Sequence, residues 1–300
     1  LLTPAAWDGP LEYFQYVLKN ASQFSRWTGV VLFRGQRYDQ AIAPLPRSYL
    51  PRMMLYTLPL YFFPLCAVGQ LAAAREWFRH PGKCLREPEK LLLLCATLLW
   101  ALFMGYAMLR QPVIYNGWRH FYFLYGPMLV LAAYGLHGLY RLMEGKRLAS
   151  RLLTVLLSLC MALTGVGIAT QHPYQYAYEQ PLVRLLTGQD DLERDYWNVS
   201  VLNALETLAG QAEGEIVIAP ADLWARAGLE NALYVMEPRL RQRFIPTEGA
   251  AEYVLSNPTY ALFSGWEPSE EQEEAVTIRA YGRTLMRIDR DRAWKKEKGE

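Results

Sequence analysis

Four long stretches of this chain contain no Asp, Glu, Lys or Arg, and they constrain the fold more than any other feature. A helix that crosses a bilayer needs about 20 mostly apolar residues at a rise of about 1.5 Å each. A buried helix of a soluble protein can be uncharged for about ten residues, but four longer runs favour membrane spans. The predicted spans are residues 53–73, 91–109, 121–140 and 152–169.

Two prolines, Pro59 and Pro64, fall inside the first of these windows. Proline normally breaks a helix, but within a bundle the neighbouring helices can satisfy the carbonyl groups that it frees. The first span is therefore expected to be kinked.

Charge is distributed unequally between the two halves of the chain. Up to residue 170 there are 17 Lys and Arg against seven Asp and Glu, a net +10; beyond it there are 14 against 22, a net −8. Such asymmetry indicates two different solvents. Loops rich in Lys and Arg stay in the cytoplasm, and segments 75–90 and 141–151 are richer in them than segment 110–120. Alternation then places residues 1–52 and everything after residue 170 outside the cytoplasm.

These observations predict an α-helical polytopic membrane protein with about four transmembrane helices, followed by a small extracytoplasmic α/β domain. Residues 1–52 should form an extracytoplasmic loop with juxtamembrane helices, residues 53–170 the transmembrane bundle, and residues 171–300 the α/β domain. The sequence opens on Leu1 without an initiator Met or a signal-peptide pattern. We therefore expect it to be the C-terminal part of a longer chain.

The acidic C-terminal segment shows alternating helix and strand patterns. Apolar residues at helical spacing predict helices over residues 196–209, with Gly210 as a stop, and over 221–236. Short apolar or alternating runs predict strands over residues 215–220, 251–255, 260–263 and 276–288. The alternation indicates a small layered domain of Rossmann-like type, without a glycine-rich phosphate loop.

Composition and spacing argue against several other classes of protein and site. With 52% hydrophobic and 13% aromatic residues the chain is not disordered. Its basic residues lie beside apolar runs rather than in one stripe, which argues against nucleic-acid binding. Three of the four cysteines lie inside predicted spans, so we expect free thiols. Neither the cysteines nor His80 and His172 have a metal-ligand spacing, and we predict no metal and no cofactor.

Three stretches carry a resemblance to known proteins. The first is LFRG at 32–35 with PLPRSYLP at 44–51, just before a span. The second is YNGWRHFYF at 115–123, and the third is DYWNVS at 195–200, following PYQYAY at 173–178. Together they resemble the C-terminal half of a bacterial polytopic glycosyltransferase of the GT-C type, similar to the protein mannosyltransferase and aminoarabinose transferase families.

The resemblance implies an enzyme of the bacterial inner membrane that takes a sugar from a polyprenyl-phosphate carrier. The sugar would pass, on the extracytoplasmic face, to a glycan, lipid or protein acceptor, with membrane lipids as further partners. In this class the catalytic carboxylate lies in the first extracytoplasmic loop, near the N-terminus of the full protein. Asp8 and Glu12 precede the first span, but nothing matches them to the acidic motif of the family. The catalytic residue is therefore expected upstream, and none is assigned.

Arg119 and His120 are the first candidates for binding the lipid phosphate. A guanidinium can hold a phosphate through a planar two-point contact, and a neighbouring imidazole can donate another hydrogen bond. The alternative is that Arg119 reaches towards lipid headgroups and His120 caps a helix start, both ordinary at the end of a span. The sequence leaves these two interpretations open.

Arg34, Arg47 and Tyr49 precede the first span on the same predicted side of the membrane. The two arginines could approach the phosphate of a carrier lipid, with Tyr49 lining the approach. Anionic headgroups are an equally simple partner for them.

Asp195, Tyr196 and Trp197 are candidates for contact with an acceptor sugar, because aromatic faces and a carboxylate suit carbohydrate hydroxyls. A cap at the start of the following helix is the favoured explanation for Asp195, since Asp is a preferred residue there.

Two rival functions follow from the same residues. The chain could be a non-catalytic membrane protein, an assembly or anchoring subunit that displays the α/β domain. A transporter is a weaker alternative, since no predicted span carries a charged residue to mark an ion path.

Overall fold

The computed structural model describes residues 4–22 and 29–294, and its N-terminal part is mainly helical. A hairpin of two short strands, β1 (Val30–Phe33) and β2 (Gln36–Asp39), follows the first helix. The helices are α1 (Pro10–Ser22), α2 (Tyr49–Thr57), α3 (Phe62–Arg79), α4 (Pro81–Arg86), α5 (Pro88–Arg110), α6 (Tyr125–Leu142) and α7 (Arg147–Thr170). Short 3₁₀ helices cover Pro4–Ala6 and Arg119–Leu124, the latter running directly into α6.

Three helical stretches of the described chain are long and apolar enough to cross a membrane: Pro88–Arg110, Arg119–Leu142 and Arg147–Thr170. They cover three of the four predicted windows. The remaining window, 53–73, is divided between α2 and α3, which are separated at residues 58–61. Pro59 lies in this break, where a residue without a backbone N–H removes the helical hydrogen bond. α3 also runs past the window into Arg75, Glu76 and Arg79, so it is too charged to satisfy the same criterion.

Two glycines let α3 and α6 pack backbone to backbone. A Cβ atom built on Gly69 would lie 1.9 Å from the carbonyl oxygen of Leu131, and one on Gly135 would lie 2.1 Å from that of Leu65. Only a residue without a side chain fits at either position. Close approach through small residues is the usual way in which helices associate in lipid, where burial of apolar surface gives little advantage.

The C-terminal part, residues 171–294, contains a five-stranded sheet and is called the sheet domain here. Its helices are α8 (Pro181–Leu186), α9 (Ser200–Gln211), α10 (Leu223–Val235), α11 (Pro238–Arg241) and α12 (Pro258–Ser264). Its strands are β3 (Ile216–Pro220), β4 (Phe244–Pro246), β5 (Tyr253–Ser256), β6 (Gln272–Ala280) and β7 (Arg283–Asp291). The strand order is β4-β3-β5-β7-β6. β3 is parallel to β4 and β5, whereas β7 is antiparallel to β5 and β6.

The predicted α/β pattern is confirmed for α9, β3, α10 and β5, with ends shifted by a few residues. The strand predicted over 276–288 is a hairpin instead. Tyr281 and Gly282 both have positive φ, at 51° and 74°, and form the two-residue turn between β6 and β7. Such turns match the twist of paired strands. The strand predicted over 260–263 was wrong: it is part of α12, which Asn257 caps by accepting a hydrogen bond from the Thr259 N–H.

The core of the sheet domain is continuous from helices to strands. α9 packs against β6 and β7, and α10 against β3 and β5. Val201 and Leu205 of α9, Ile218 of β3 and Leu255 of β5 are fully buried there. This is the core of a layered α/β domain.

Both outer strands of the sheet differ from the inner ones. β4 has only three residues and ends on Pro246. β6 carries Glu273, Glu274 and Arg279, and its register with β7 shifts twice along its length.

By packing, the chain forms two compact units. The first unit consists of Leu1–Val31, Arg37–Leu55 and Pro64–Leu139, and the second of Leu32–Gln36, Tyr56–Phe63 and Tyr140–Glu300. The second unit thus includes α7 and the sheet domain. These units cut across the predicted ranges 1–52, 53–170 and 171–300, which separate regions by solvent rather than by packing.

Candidate functional site

Within the first unit, two segments distant in sequence are joined by side-chain hydrogen bonds. The Gln40 amide donates to the Ile114 carbonyl at 2.8 Å and accepts from the Ile114 N–H at 3.0 Å. Gln111, which ends α5 in the left-handed conformation, donates from its amide to the Leu45 carbonyl at 2.6 Å. Segment 40–49 is therefore held against segment 111–117.

Tyr49 completes this junction. Its buried hydroxyl accepts a hydrogen bond at 2.9 Å from the N–H of Gly117, a residue with φ of +73°. A side chain at position 117 would strain the backbone in this conformation. Arg47, two residues before Tyr49, has an exposed side chain. The junction thus brings the proline-rich stretch that carries Arg47 to the loop before α6.

Arg119 and His120 both lie against the ring of Tyr115. The Arg119 guanidinium carbon is 4.4 Å from the Tyr115 ring centroid, a cation–π contact. The His120 ring centroid is 4.3 Å from the same point. Both side chains are half-buried at the start of the Arg119–Leu142 helical stretch. We call Arg47, Tyr49, Tyr115, Arg119 and His120 the juxtamembrane cluster.

The juxtamembrane cluster offers donors and positive charge at the end of a candidate span. A guanidinium that stacks on an aromatic ring is restrained, so it loses less side-chain freedom when it binds an anion. Four of the five predicted lipid-phosphate residues lie here. Tyr115 and the positioning Gln40 were not among the predicted site residues. No short motif could have identified Gln40, because its partner is 74 residues away.

Arg34, the fifth of these residues, belongs to the second unit. It lies with Gly35 at the tip of the β1–β2 hairpin, where both have positive φ, at 55° and 70°. Its side chain is exposed. The Gly35 N–H donates to the Asp191 carbonyl, and Phe33 forms a β-bridge with Leu192, so this tip is attached to the sheet domain.

Asp195 is fully buried, and its carboxylate accepts four hydrogen bonds. The backbone N–H groups of Val199 and Ser200 donate at 2.8 and 3.1 Å, and the hydroxyls of Tyr176 and Ser200 also donate. Burial raises the pKa of this carboxyl, against the opposing effect of the hydrogen bonds. Burial also raises the pKa of Tyr176. The predicted cap was placed four residues too early, because the N-cap residue of α9 is Val199. The Asp195 carboxylate instead accepts from the N–H groups of Val199 and Ser200 while lying outside the helix.

Tyr196 and Trp197 lie in the loop that precedes α9. Trp197 is exposed and Tyr196 half-buried, with ring centroids 5.8 Å apart. The loop that carries them is constrained, because Asp195 and Asn198 have positive φ of 48° and 53°. The Asn198 amide donates to the Trp224 carbonyl at 3.1 Å, and the Asn257 amide donates to the Asp195 carbonyl at 3.3 Å. The loop is thus fixed to the N-terminal ends of α10 and α12.

A buried ionic group of the sheet domain was not predicted. Glu179 accepts from the Arg194 guanidinium at 3.0 Å and lies 3.5 Å from that of Arg283. The Thr187 hydroxyl donates to the same carboxylate at 2.7 Å. Burial lowers the pKa of Arg194. Both carboxylate oxygens of Glu179 thus accept hydrogen bonds from within the sheet domain, which indicates a structural role.

An apolar cleft of about 260 Å³ lies among α3, α4 and α5. Its only charged lining residues, Lys90 and Glu76, are bonded to each other at 2.7 Å. It contains none of the predicted site residues. All four cysteines are free thiols, as expected.

Among residues 4–22 and 29–294, no three His, Cys, Asp or Glu side chains are grouped so that they could hold a metal ion. Comparisons of the chain with protein-family profiles, with curated proteins and with solved structures find no match.

Proposed function

We propose that the protein is part of a membrane glycosyltransferase of the GT-C type, which takes a sugar from a polyprenyl-phosphate donor and transfers it to an extracytoplasmic acceptor. The observation that carries the proposal is the junction of segments 40–49 and 111–117. It brings the segment that carries Arg47 and Tyr49 against the loop that leads to Arg119 and His120, at the start of a candidate span. A phosphate at the lipid headgroup level is the ligand that this chemistry fits.

In this proposal the juxtamembrane cluster binds the leaving phosphate. Arg119, restrained by Tyr115, stabilises the negative charge that develops on the phosphate as the glycosidic bond breaks. His120 donates a further hydrogen bond, and Arg47 adds positive charge from the facing segment. The base that activates the acceptor hydroxyl is proposed to lie upstream of Leu1, and Arg34 is left outside the donor site because it belongs to the second unit.

The proposal also assigns sides. The juxtamembrane cluster and the sheet domain would lie outside the cytoplasm, and α3 would act as the fourth span despite the charges in its last turns. Tyr196 and Trp197 would contact the acceptor, whereas the buried Asp195 would hold their loop. A bacterial inner membrane supplies both donor and carrier in this scheme.

The test is to replace Arg119 by Ala in the full-length protein and to measure glycosyl transfer and binding of the polyprenyl-phosphate donor. Arg110 is the matched control, because it is an exposed arginine at the end of α5. If Arg119 binds the phosphate, R119A loses transfer and donor affinity about 100-fold, as loss of one transition-state donor does, whereas R110A keeps both.

Equal, small effects of R119A and R110A would mean that both arginines only reach lipid headgroups, and the proposed phosphate site would be lost. A full-length protein that binds no polyprenyl-phosphate sugar would favour the non-catalytic alternative, a membrane subunit that displays the sheet domain. The upstream reading frame gives a second discriminator, since the enzyme requires an Asp or Glu in its first outer loop.

A further inference from the structure

The sheet domain begins directly at the end of α7. Gln171, the residue after the helix, accepts a hydrogen bond through Oε1 from the Tyr281 N–H at 2.8 Å. The Gln175 amide donates back to the Ile168 carbonyl in the last turn of α7 at 3.2 Å. The turn between β6 and β7, which contains Tyr281, therefore lies against the end of α7 without an intervening linker.

The short helix α8 is attached to the same turn. Arg184 donates from Nη1 to the Tyr281 carbonyl at 3.1 Å, and its guanidinium carbon lies 5.8 Å from the Tyr281 ring centroid. Arg283 donates from Nη2 to the Arg184 carbonyl at 2.8 Å. Gln171 at the end of α7 thus binds the N–H of Tyr281, and Arg184 of α8 binds its carbonyl. Because both bind the same residue, α8 lies at the same level as the end of α7.

α8 presents leucines to its surroundings. Leu182, Leu185 and Leu186 are 51%, 81% and 85% exposed, whereas Val183 of the same helix is buried in the domain. Three exposed leucines in six residues form an apolar surface that a domain in water would normally cover. The rings of Tyr178 and Tyr281 meet edge to face at 5.5 Å, and this contact restrains the turn to which α8 is attached.

The strand register shows which edge of the sheet faces the end of α7. Ser256, the last residue of β5, pairs with Arg287 of β7. The Tyr281–Gly282 turn precedes Arg287 and so projects past the carboxyl end of β5. Exposed Trp197, Leu223 and Trp224 belong to the loop and the α10 end at this same edge, because β3 also ends there. Tyr234, near the C-terminus of α10, lies at the opposite edge.

The surface of α7 indicates what surrounds this edge of the sheet. It is apolar over most of its length, and none of its 24 residues, all of them described, is buried. A helix that is apolar on all sides is covered either by protein or by lipid, and α7 is long enough to cross a bilayer. The bilayer surface must then lie at the end of α7, which is the level of α8.

We propose that the carboxyl edge of the sheet faces the membrane and that Leu182, Leu185 and Leu186 of α8 insert into the lipid interface. The partner is a lipid surface, because α8 and the end of the candidate span α7 are both bonded to Tyr281. This inference rests on α7 crossing the bilayer and is independent of the proposed glycosyl transfer. Apolar insertion of this kind is how interfacial helices bind membranes.

The test uses the full chain in phosphatidylcholine nanodiscs, with the native cysteines Cys66, Cys84, Cys95 and Cys160 replaced by Ala. Single nitroxide labels are attached to L185C, to L159C in the middle of α7, and to Y234C. Leu185 and Tyr234 are matched, since they are 81% and 83% exposed, and replacing either removes no core contact. Collision rates with oxygen, which partitions into lipid, and with a water-soluble nickel chelate report the surroundings of each label.

At positions 185 and 159 we expect the ratio of oxygen to nickel collisions to exceed that at position 234 several-fold. A ratio at position 185 equal to that at 234 would place α8 in water and overturn the proposal. Low collision rates with both reagents at 185 would show that a protein, such as a second copy of this chain, covers α8, which would also overturn it. A water-like ratio at position 159 would show that α7 does not cross the membrane, and this result would also overturn the proposal.

Discussion

The first unit and the sheet domain differ in how many of their large apolar residues they leave exposed. The sheet domain buries a continuous group of side chains from α9, α10 and all five of its strands. In the first unit one buried cluster consists of Ala73, Leu93, Ala96 and Leu131, two of them alanines, and large side chains such as Met54, Trp118 and Leu124 are buried elsewhere in it. Leu92, Leu102 and Leu109 of α5 remain exposed.

The difference follows from the solvent of each region. In water, burial of apolar surface is the main favourable term, so the sheet domain collects its large residues inside. In lipid that term vanishes, and helices associate through close backbone contact at small residues. Gly69 and Gly135 thus allow the close contact that holds α3 and α6 together, whereas burial of Leu205 and Ile218 holds the sheet domain together. Variants in each region should fail for different reasons.

The largest effect is expected from Glu179→Gln in the sheet domain. Loss of the carboxylate leaves Arg194 charged and buried, so the free energy of unfolding should fall by about 3–5 kcal/mol. Hydrogen exchange of the β7 amides in the detergent-solubilised protein measures this loss. Glu248→Gln is the control, because the Glu248–Arg226 pair is largely exposed and should contribute less than about 1 kcal/mol. Equal effects of both variants would contradict a buried ionic group.

Asp195→Ala should have the next largest effect. It leaves the Val199 and Ser200 N–H groups and two hydroxyls without their acceptor, at a cost of about 3 kcal/mol in the free energy of unfolding. Exchange of the α9 amides measures it. Ser200→Ala removes only one of these donors and should cost about 1 kcal/mol. An unchanged exchange rate in D195A would show that the carboxylate does not hold the start of α9.

Gly135→Ala tests the first unit. The added methyl group would meet the Leu65 carbonyl, so we expect a loss of about 1–3 kcal/mol in stability, measured by SDS-induced unfolding. Gly138→Ala on the same helix is the control. A Cβ at that position has no described atom within 4 Å, and replacing glycine in a helix should stabilise it slightly. Similar stability of the two variants would show that α3 and α6 do not pack through Gly135.

The smallest effect concerns the cap of α10. Asp222 accepts through Oδ1 from the Trp224 and Ala225 N–H groups at 2.8 Å, and Asp222→Ala should cost about 1 kcal/mol by exchange of the α10 amides. Its Oδ2 is buried and has no hydrogen-bond partner in the described part of the chain.

Burial raises the pKa of Asp222, so this residue makes the stability of the sheet domain depend on pH. The folded state holds the proton more tightly than the unfolded state. The proton-linked part of its contribution is therefore complete below the unfolded pKa of about 3.9 and is lost as the pH rises through its folded pKa. Asp222→Asn keeps the Oδ1 acceptor and should remove this part of the pH dependence. The same pH dependence in the variant would contradict the assignment.

How far the sequence predicts the fold depends on the length of each pattern. Three windows without charge were long enough to be recognised as candidate spans, and the helical period of α9 and α10 was clear. Short apolar runs were ambiguous: residues 260–263 follow an Asn-Pro pair that starts α12, although their composition also fits a strand. The turn at Tyr281 and Gly282 was read as part of one strand, because Tyr rarely adopts positive φ.

The candidate site was predictable in composition but not in assembly. Arg119, His120, Arg47 and Tyr49 stand out by residue type near predicted spans. The joining of their two segments depends on Gln40 and Ile114, which are far apart in sequence, and the attachment of the Arg34 tip to the sheet domain depends on the bridge between Phe33 and Leu192. Contacts of this range leave no local pattern.

The outer strands of the sheet affect whether molecules of this protein associate when they are close together. Pro246 at the end of β4 lacks an N–H group, and the charged, irregular β6 is a poor template for another strand. Molecules confined to a membrane meet one another at high local density and in a common orientation, conditions that favour polymerisation through open strand edges. Because neither outer strand can readily pair with a strand of another molecule, we expect the sheet domains of neighbouring molecules in a membrane to stay separate.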